Sequence, residues 1–111
     1  MIDKHNAEHY TWGQNCDGWH LVQSPETSII QERMPPRTSE VRHKHTKSWQ
    51  FFFILNGEAT MEVSGELQFL KAHQGIEISP DVPHQMMNTS DADVEFIVVS
   101  SPPSHGDRIV V

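Results

Sequence analysis

A chain of 111 residues with a net charge of −7 is sized for one domain around one core, and its acidity argues against nucleic acid or an anionic membrane as partner. Hydrophobic residues are 36% of the chain and nowhere form the run of about 20 that spans a bilayer. The N-terminus, MIDKHNAEHYTW, is polar from the start and lacks the apolar core of a signal peptide, so a cytoplasmic location is expected.

Residues 1–26, punctuated by Gly13, Gly18 and Pro25, read as an N-terminal arm with one short strand near 19–22. The lone Cys16 excludes an intrachain disulfide, and no nucleophile signature surrounds it, so it is expected to be packed. From Thr27 the chain alternates short β-branched and aromatic runs with turn residues: TSIIQERM, SEVRHKH, WQFFFIL, EATMEV, ELQFLK, GIEIS, HQMMN and DVEFIVVS. Asn56-Gly57 and Ser64-Gly65 both carry hairpin-turn chemistry. No run keeps a helical period, and strands this short and frequent predict a sandwich or barrel over 27–100. Residues 101–111 form a C-terminal tail beginning at Pro102-Pro103.

Eight histidines, as many as all lysines and arginines together, make the placement of the imidazoles the informative feature. His43 and His45 are two residues apart. On a strand they share one face about 6.7 Å apart, so both can reach one ion. Gln50 begins the next strand, after the turn Thr46-Lys47-Ser48. If Gln50 faces inward, so do Phe52 and Ile54. Pro80 and Pro83 stiffen the approach to His84 at the head of HQMMN.

HKHTKSWQFFFILNG and SPDVPHQMMN resemble the two sequence motifs of the cupins. The first is His-x-His, three or four residues, Glu, six residues, Gly. Here Gln50 stands for the glutamate. The second keeps His84 and Asn88, while Ser79 and Asp81 replace its proline and glycine. The resemblance, to small single-domain RmlC-like cupins, implies an all-β double-stranded β-helix, the jelly-roll barrel. It also implies one divalent metal ion held by His43, His45, Gln50 and His84, with zinc, nickel, iron and manganese not distinguished. Some polyketide-cyclase cupins look similar in pairing a histidine-rich site with glutamine.

A neutral amide in place of the carboxylate leaves a divalent ion its full charge. That lowers the pKa of bound water and tilts the chemistry towards Lewis-acid catalysis. Glu40, Glu77 and Asp81 are candidates for restoring negative charge nearby. Phe52, Ile54 and Met86 are expected either beside the ion, as the substrate-binding wall of a mostly apolar cavity, or simply as filling of the barrel. Trp49, Phe51, Phe53 and Leu55 then face outward and need cover. A homodimer partner is the first choice, and the arm with Tyr10, Trp12 and Trp19 the second. Arg33 and Arg37 read as solvated surface, and His5, His9 and His20 as surface or arm residues. His105, Asp107 and Arg108 either close the barrel mouth, supplying a general acid or base, or form an edge strand. The function expected is a metal-dependent small-molecule enzyme: an isomerase, cyclase, lyase or dioxygenase. The alternative is a non-catalytic barrel binding a small molecule or metal.

Overall fold

Period-2 alternation of apolar and polar residues makes strands that bury one face each, and here twelve of them wrap one core. The computed structural model describes residues 1–111. In chain order the strands are β1 (Glu8–Trp12), β2 (Cys16–Gln23), β3 (Ser28–Met34), β4 (Thr38–Ser39), β5 (His43–Lys44) and β6 (Trp49–Asn56). They continue as β7 (Glu58–Val63), β8 (Glu66–Lys71), β9 (Gly75–Ile78), β10 (His84–Asn88), β11 (Val94–Ser101) and β12 (Ile109–Val110). One sheet runs β1-β2-β3-β11-β6-β9; the other runs β12-β5-β10-β7-β8, with β4 also paired to β10. Every pairing is antiparallel. This is the jelly-roll barrel, with no helix; none is present that is long and apolar enough to cross a membrane.

The core is where the inward positions of both sheets meet: Met34, Phe52, Ile54, Met61, Ile78, Met86, Val94, Phe96 and Val98 are all buried. Cys16 joins them, fully buried and unpaired. Its thiol is held above its ordinary pKa, chiefly by burial.

Of three local expectations, two are revised and the Ser64-Gly65 hairpin is borne out. The segment before Thr27 supplies two full strands, β1 and β2, which extend the first sheet past β3. Ser64-Gly65 closes a two-residue hairpin, both residues at positive φ, with Val63 opposite Glu66. Asn56-Gly57 does not make a hairpin. It carries the chain from β6 in one sheet to β7 in the other. Gly57 has φ +85°, and a Cβ there would lie 2.5 Å from the Asp93 carbonyl oxygen, so the corner admits only glycine.

Candidate metal centre

β6 alternates as the sequence predicts: Gln50, Phe52 and Ile54 point in, while Trp49, Phe51 and Phe53 sit half-buried outside. β10 likewise buries His84, Met86 and Asn88. His84 pairs in register with His43 at the start of β5, and His45 follows at the turn into β6. Three imidazoles from three segments thereby meet, with ring centroids 4.5 to 5.5 Å apart. One nitrogen of each lies within 4.8 Å of the others.

Each imidazole is tied through its other nitrogen. Nδ1 of His43 donates to the Val41 carbonyl at 2.7 Å, that of His84 to Val82 at 2.9 Å, and that of His45 to Asp107 at 2.5 Å. A carbonyl only accepts, so each Nδ1 carries the proton and each Nε2 presents a lone pair. Nε2 of His45 and of His84 is buried with no protein partner, and so is Oε1 of Gln50. The Gln50 amide nitrogen donates to Ser100 Oγ at 2.9 Å, which holds the amide plane. Buried polar atoms are rarely left unpaired. Three such acceptors in one place form a donor set that fits a divalent cation of nitrogen and oxygen preference. Burial also keeps two of the imidazoles neutral: it pushes His43 down to about 4, and His84 downward too.

Of the acidic candidates, only Glu40 is beside the centre. Its Oε1 is 3.9 Å from His43 Nδ1, and its Oε2 accepts the Met86 N–H at 2.8 Å. Burial pushes its carboxyl up to about 7. Glu77 binds the Trp49 indole on the outer face, and Asp81 is an exposed turn residue.

His43, His45 and Gln50 open onto a cavity of about 1350 Å³, with His84 fully buried behind them. Phe52 lines it. Ile54 and Met86, expected beside it, are instead packed in the core. By residue type the wall is mixed, six of its 25 residues being hydrophobic, yet most of the surface that faces the cavity is apolar, as expected. The polar groups come from β1 and β2, which bring Tyr10, Gln14, His20 and Gln23 to the wall, and from the inward serines Ser28 and Ser100. His20 is therefore a cavity residue, whereas His9 pairs with Asp17 at 2.7 Å outside. Nothing in the sequence separates the two except their strand parity.

The tail covers its own barrel. β12 pairs with β5, and Ser104, His105 and Arg108 reach the cavity. Asp107 is no general base. Its carboxylate accepts from the N–H of Thr46, Lys47 and Ser48, each at 2.9 Å, and from Thr46 Oγ1 at 2.5 Å. These bonds hold its pKa far below the carboxylate range. Arg33 is paired with Asp17 and Asp93, and the exposed Arg37 with Asp91. Asn88 is a structural hub: its amide donates to the carbonyls of Met34, Pro35 and Ala92 and accepts from Ser90.

The fold is an antiparallel jelly roll in which three tautomer-locked histidines, placed so that they could hold a metal ion, cluster beside a large cavity. The cupin domain profile matches residues 30–100. The chain belongs to the cupin family. An uncharacterized protein of Methanocaldococcus jannaschii is 27% identical over 93 residues, covering 83% of this chain and 74% of that one. Among solved structures, an RmlC-like cupin from Shewanella frigidimarina superposes with a TM-score of 0.85 at 18% identity, covering 96% of this chain and 93% of that one. The polyketide cyclase RemF from Streptomyces resistomycificus gives 0.80 at 13% identity, over 93% and 79% of the two chains. At such identities the superpositions establish the shared fold.

Proposed function

We propose that this cupin is a metal-dependent enzyme acting on an oxygen-bearing small molecule, with one divalent ion held by His43, His45, His84 and Gln50. The observation that carries the reading is the set of buried, unpaired acceptors, Nε2 of His45 and of His84 and Oε1 of Gln50, with His45 and Gln50 on the wall of a large cavity. A bound ion would supply Lewis-acid polarisation of a carbonyl or hydroxyl, and four neutral donors favour that over oxygen activation. Zinc, nickel, iron and manganese all suit a nitrogen and oxygen donor set. The chain's own part is to fix the donors through Val41, Val82, Asp107 and Ser100, and to enclose the substrate in a chamber beside Phe52 whose mostly apolar surface is dotted with polar groups. The free, buried Cys16 accords with a reducing compartment, and we read the protein as cytoplasmic.

The test is elemental analysis of the purified protein and of His84→Ala, followed by metal-dependent turnover with diketones and sugars. Stoichiometric metal in the wild type alone, with turnover that a chelator abolishes, is the expected result. Full occupancy in His84→Ala would overturn the donor assignment. Ligand binding without turnover across both substrate classes would leave a non-catalytic barrel.

A further inference from the structure

The free edge of the second sheet is open and apolar. β8 ends that sheet, with β7 on one side and no strand on the other. The two-residue turn Ser64-Gly65 makes Val63 and Glu66 a hydrogen-bonded pair, and such pairs alternate with non-bonded ones along an antiparallel ladder. Glu66, Gln68 and Leu70 therefore spend their main-chain groups on β7. Those of Leu67, Phe69 and Lys71 point away from it. Lys71 is closed: its N–H donates to Gln74 Oε1 at 2.8 Å, and its carbonyl accepts the Gln74 N–H at 3.0 Å. Leu67 and Phe69 are left open.

Their side chains share the outer face, opposite Glu62 and Thr60 of β7. Leu67 is 54% exposed and Phe69 72%, the one exposed phenylalanine of the chain. Folded proteins blunt a sheet edge with charge, proline or a covering loop. Here the covering stops at Lys71, and the two positions with free main-chain groups carry a leucine and a phenylalanine.

We propose that this edge pairs antiparallel with β8 of a second copy, making one continuous sheet of the two. The open groups are complementary to themselves in a single register. With Leu67 opposite Leu67, Phe69 would meet Gly65 in the turn, whose N–H already donates to Glu62 Oε2 at 2.8 Å. With Phe69 opposite Phe69, Leu67 would meet Lys71, which Gln74 closes. With Leu67 opposite Phe69, every open group is used, giving four hydrogen bonds about a two-fold axis at Gln68. That register also sets Leu67 beside Phe69 twice on one face, an apolar cross-strand pair. It brings Lys71, which has no ion pair in its own chain, to Gly65 of the second copy and so to the Glu62 carboxylate there. The outer face of β6 belongs to the other sheet, so the two contacts are separate. Two residues from each copy make a small interface, so the pairing is weak and fills at high concentration.

Cysteine cross-linking reads the register. Gln68 is exposed, and the two copies of it form a non-hydrogen-bonded pair with Cα atoms about 4.5 Å apart, within disulfide reach. Gln68→Cys, oxidised with diamide at about 1 mM protein, should give a covalent dimer on a non-reducing gel. Glu66→Cys is equally exposed but lies about 13 Å from its counterpart, so its yield should be about tenfold lower. The native Cys16 is buried and does not compete. Adding Leu67→Lys and Phe69→Lys to Gln68→Cys should lower the yield in the same way and leave the melting temperature unchanged, since both side chains are exposed. In the wild type, amide exchange at Leu67 and Phe69 should slow as the protein is concentrated from about 10 µM to about 1 mM, while that of Gln68, already bonded to β7, stays constant. Equal cross-linking of Gln68→Cys and Glu66→Cys, or exchange at Leu67 and Phe69 that ignores concentration, would overturn the pairing.

Discussion

His45 Nδ1 donates to the main-chain carbonyl of Asp107 across 62 residues of sequence, at 2.5 Å. The Asp107 carboxylate meanwhile gathers the turn from Thr46 to Ser48. One tail residue thus sets both the tautomer of a metal-facing histidine and the path of the loop behind it. Groups that orient a ligand in this way are typically worth 10–100-fold in metal affinity. Asp107→Ala keeps that carbonyl but removes the carboxylate that seats it against the turn. The carbonyl then loses its fixed place beside His45, so zinc binding should weaken by about tenfold in a chelator competition, with the barrel still folded by circular dichroism. Undiminished affinity would show that the tail is only a surface strap.

The metal-free protein should lose stability as the pH falls from about 6.5 towards 4. Burial lowers the folded pKa of His43 to about 4 and also moves that of His84 downward, while unfolded histidine titrates near 6.5. Between those values the unfolded chain binds more protons, so stability rises with pH. Urea midpoints of the metal-free protein should climb from pH 4 to about 6.5 and then level. Added zinc should shift the midpoint upward at pH 7 by mass action on the folded state.

Glu32 makes the opposite contribution. Its folded pKa of about 8 lies above the unfolded value near 4.3, so the folded state holds a proton that the unfolded chain has released. Stability from this group falls as pH rises from about 4.3 to 8. Glu32→Gln, which cannot ionise, should match the wild type at pH 4 and melt higher at pH 8.5. A gap that stays constant with pH would mean the carboxyl titrates normally.

The barrel and its cluster of three histidines were legible because they rest on local rules. Gln50 with Phe52 and Ile54 on one face and two prolines before His84 follow from period-2 geometry and stiff turns. His-x-His, by contrast, was expected wholly on a strand, and His45 instead lies just past the end of β5, in the turn that Asp107 holds. What was not legible depends on which strands become neighbours. Asn56-Gly57 has hairpin chemistry, yet it is a corner because β6 and β7 find partners in different sheets. The polar groups on the cavity wall were missed because β1 and β2 look like an arm until they pair with β3 and turn Tyr10 and His20 inward. Asp107 gave no signal for its role, since its partners are backbone groups some sixty positions away.

A homodimer remains our expectation for the outer face of β6. Phe51 and Phe53 stack on each other, Phe53 also on His73, and Ile97 and Val99 of β11 pair beside them. The N-terminal strands lie beyond β3 on the far side of that sheet and leave this face uncovered. Sedimentation at micromolar concentration should give twice the mass of 12.7 kDa, and Phe53→Glu should return a monomer. A monomeric wild type would mean these rings are covered only by their own neighbours.

Gln50 offers the sharpest test of how the centre's charge sets its chemistry. Its Oε1 is unpaired and buried, and its Nε2 is spent on Ser100. Gln50→Glu exchanges a neutral donor for an anionic one of the same reach, and the Ser100 hydroxyl can rotate to donate to the new carboxylate. Zinc affinity should rise at least tenfold, because a full negative charge then faces the cation in a site shielded from water. The same charge should raise the pKa of zinc-bound water and slow any Lewis-acid turnover. With iron in place of zinc, the oxidised form should become easier to reach. Ser100→Ala removes the anchor and leaves the amide free to rotate, so it should weaken zinc binding while keeping the centre neutral. The two variants move affinity in opposite directions only if Gln50 Oε1 is a metal donor. Equal zinc affinity in wild type, Gln50→Glu and Ser100→Ala would reduce the centre to its three histidines and remove the charge argument for Lewis-acid chemistry.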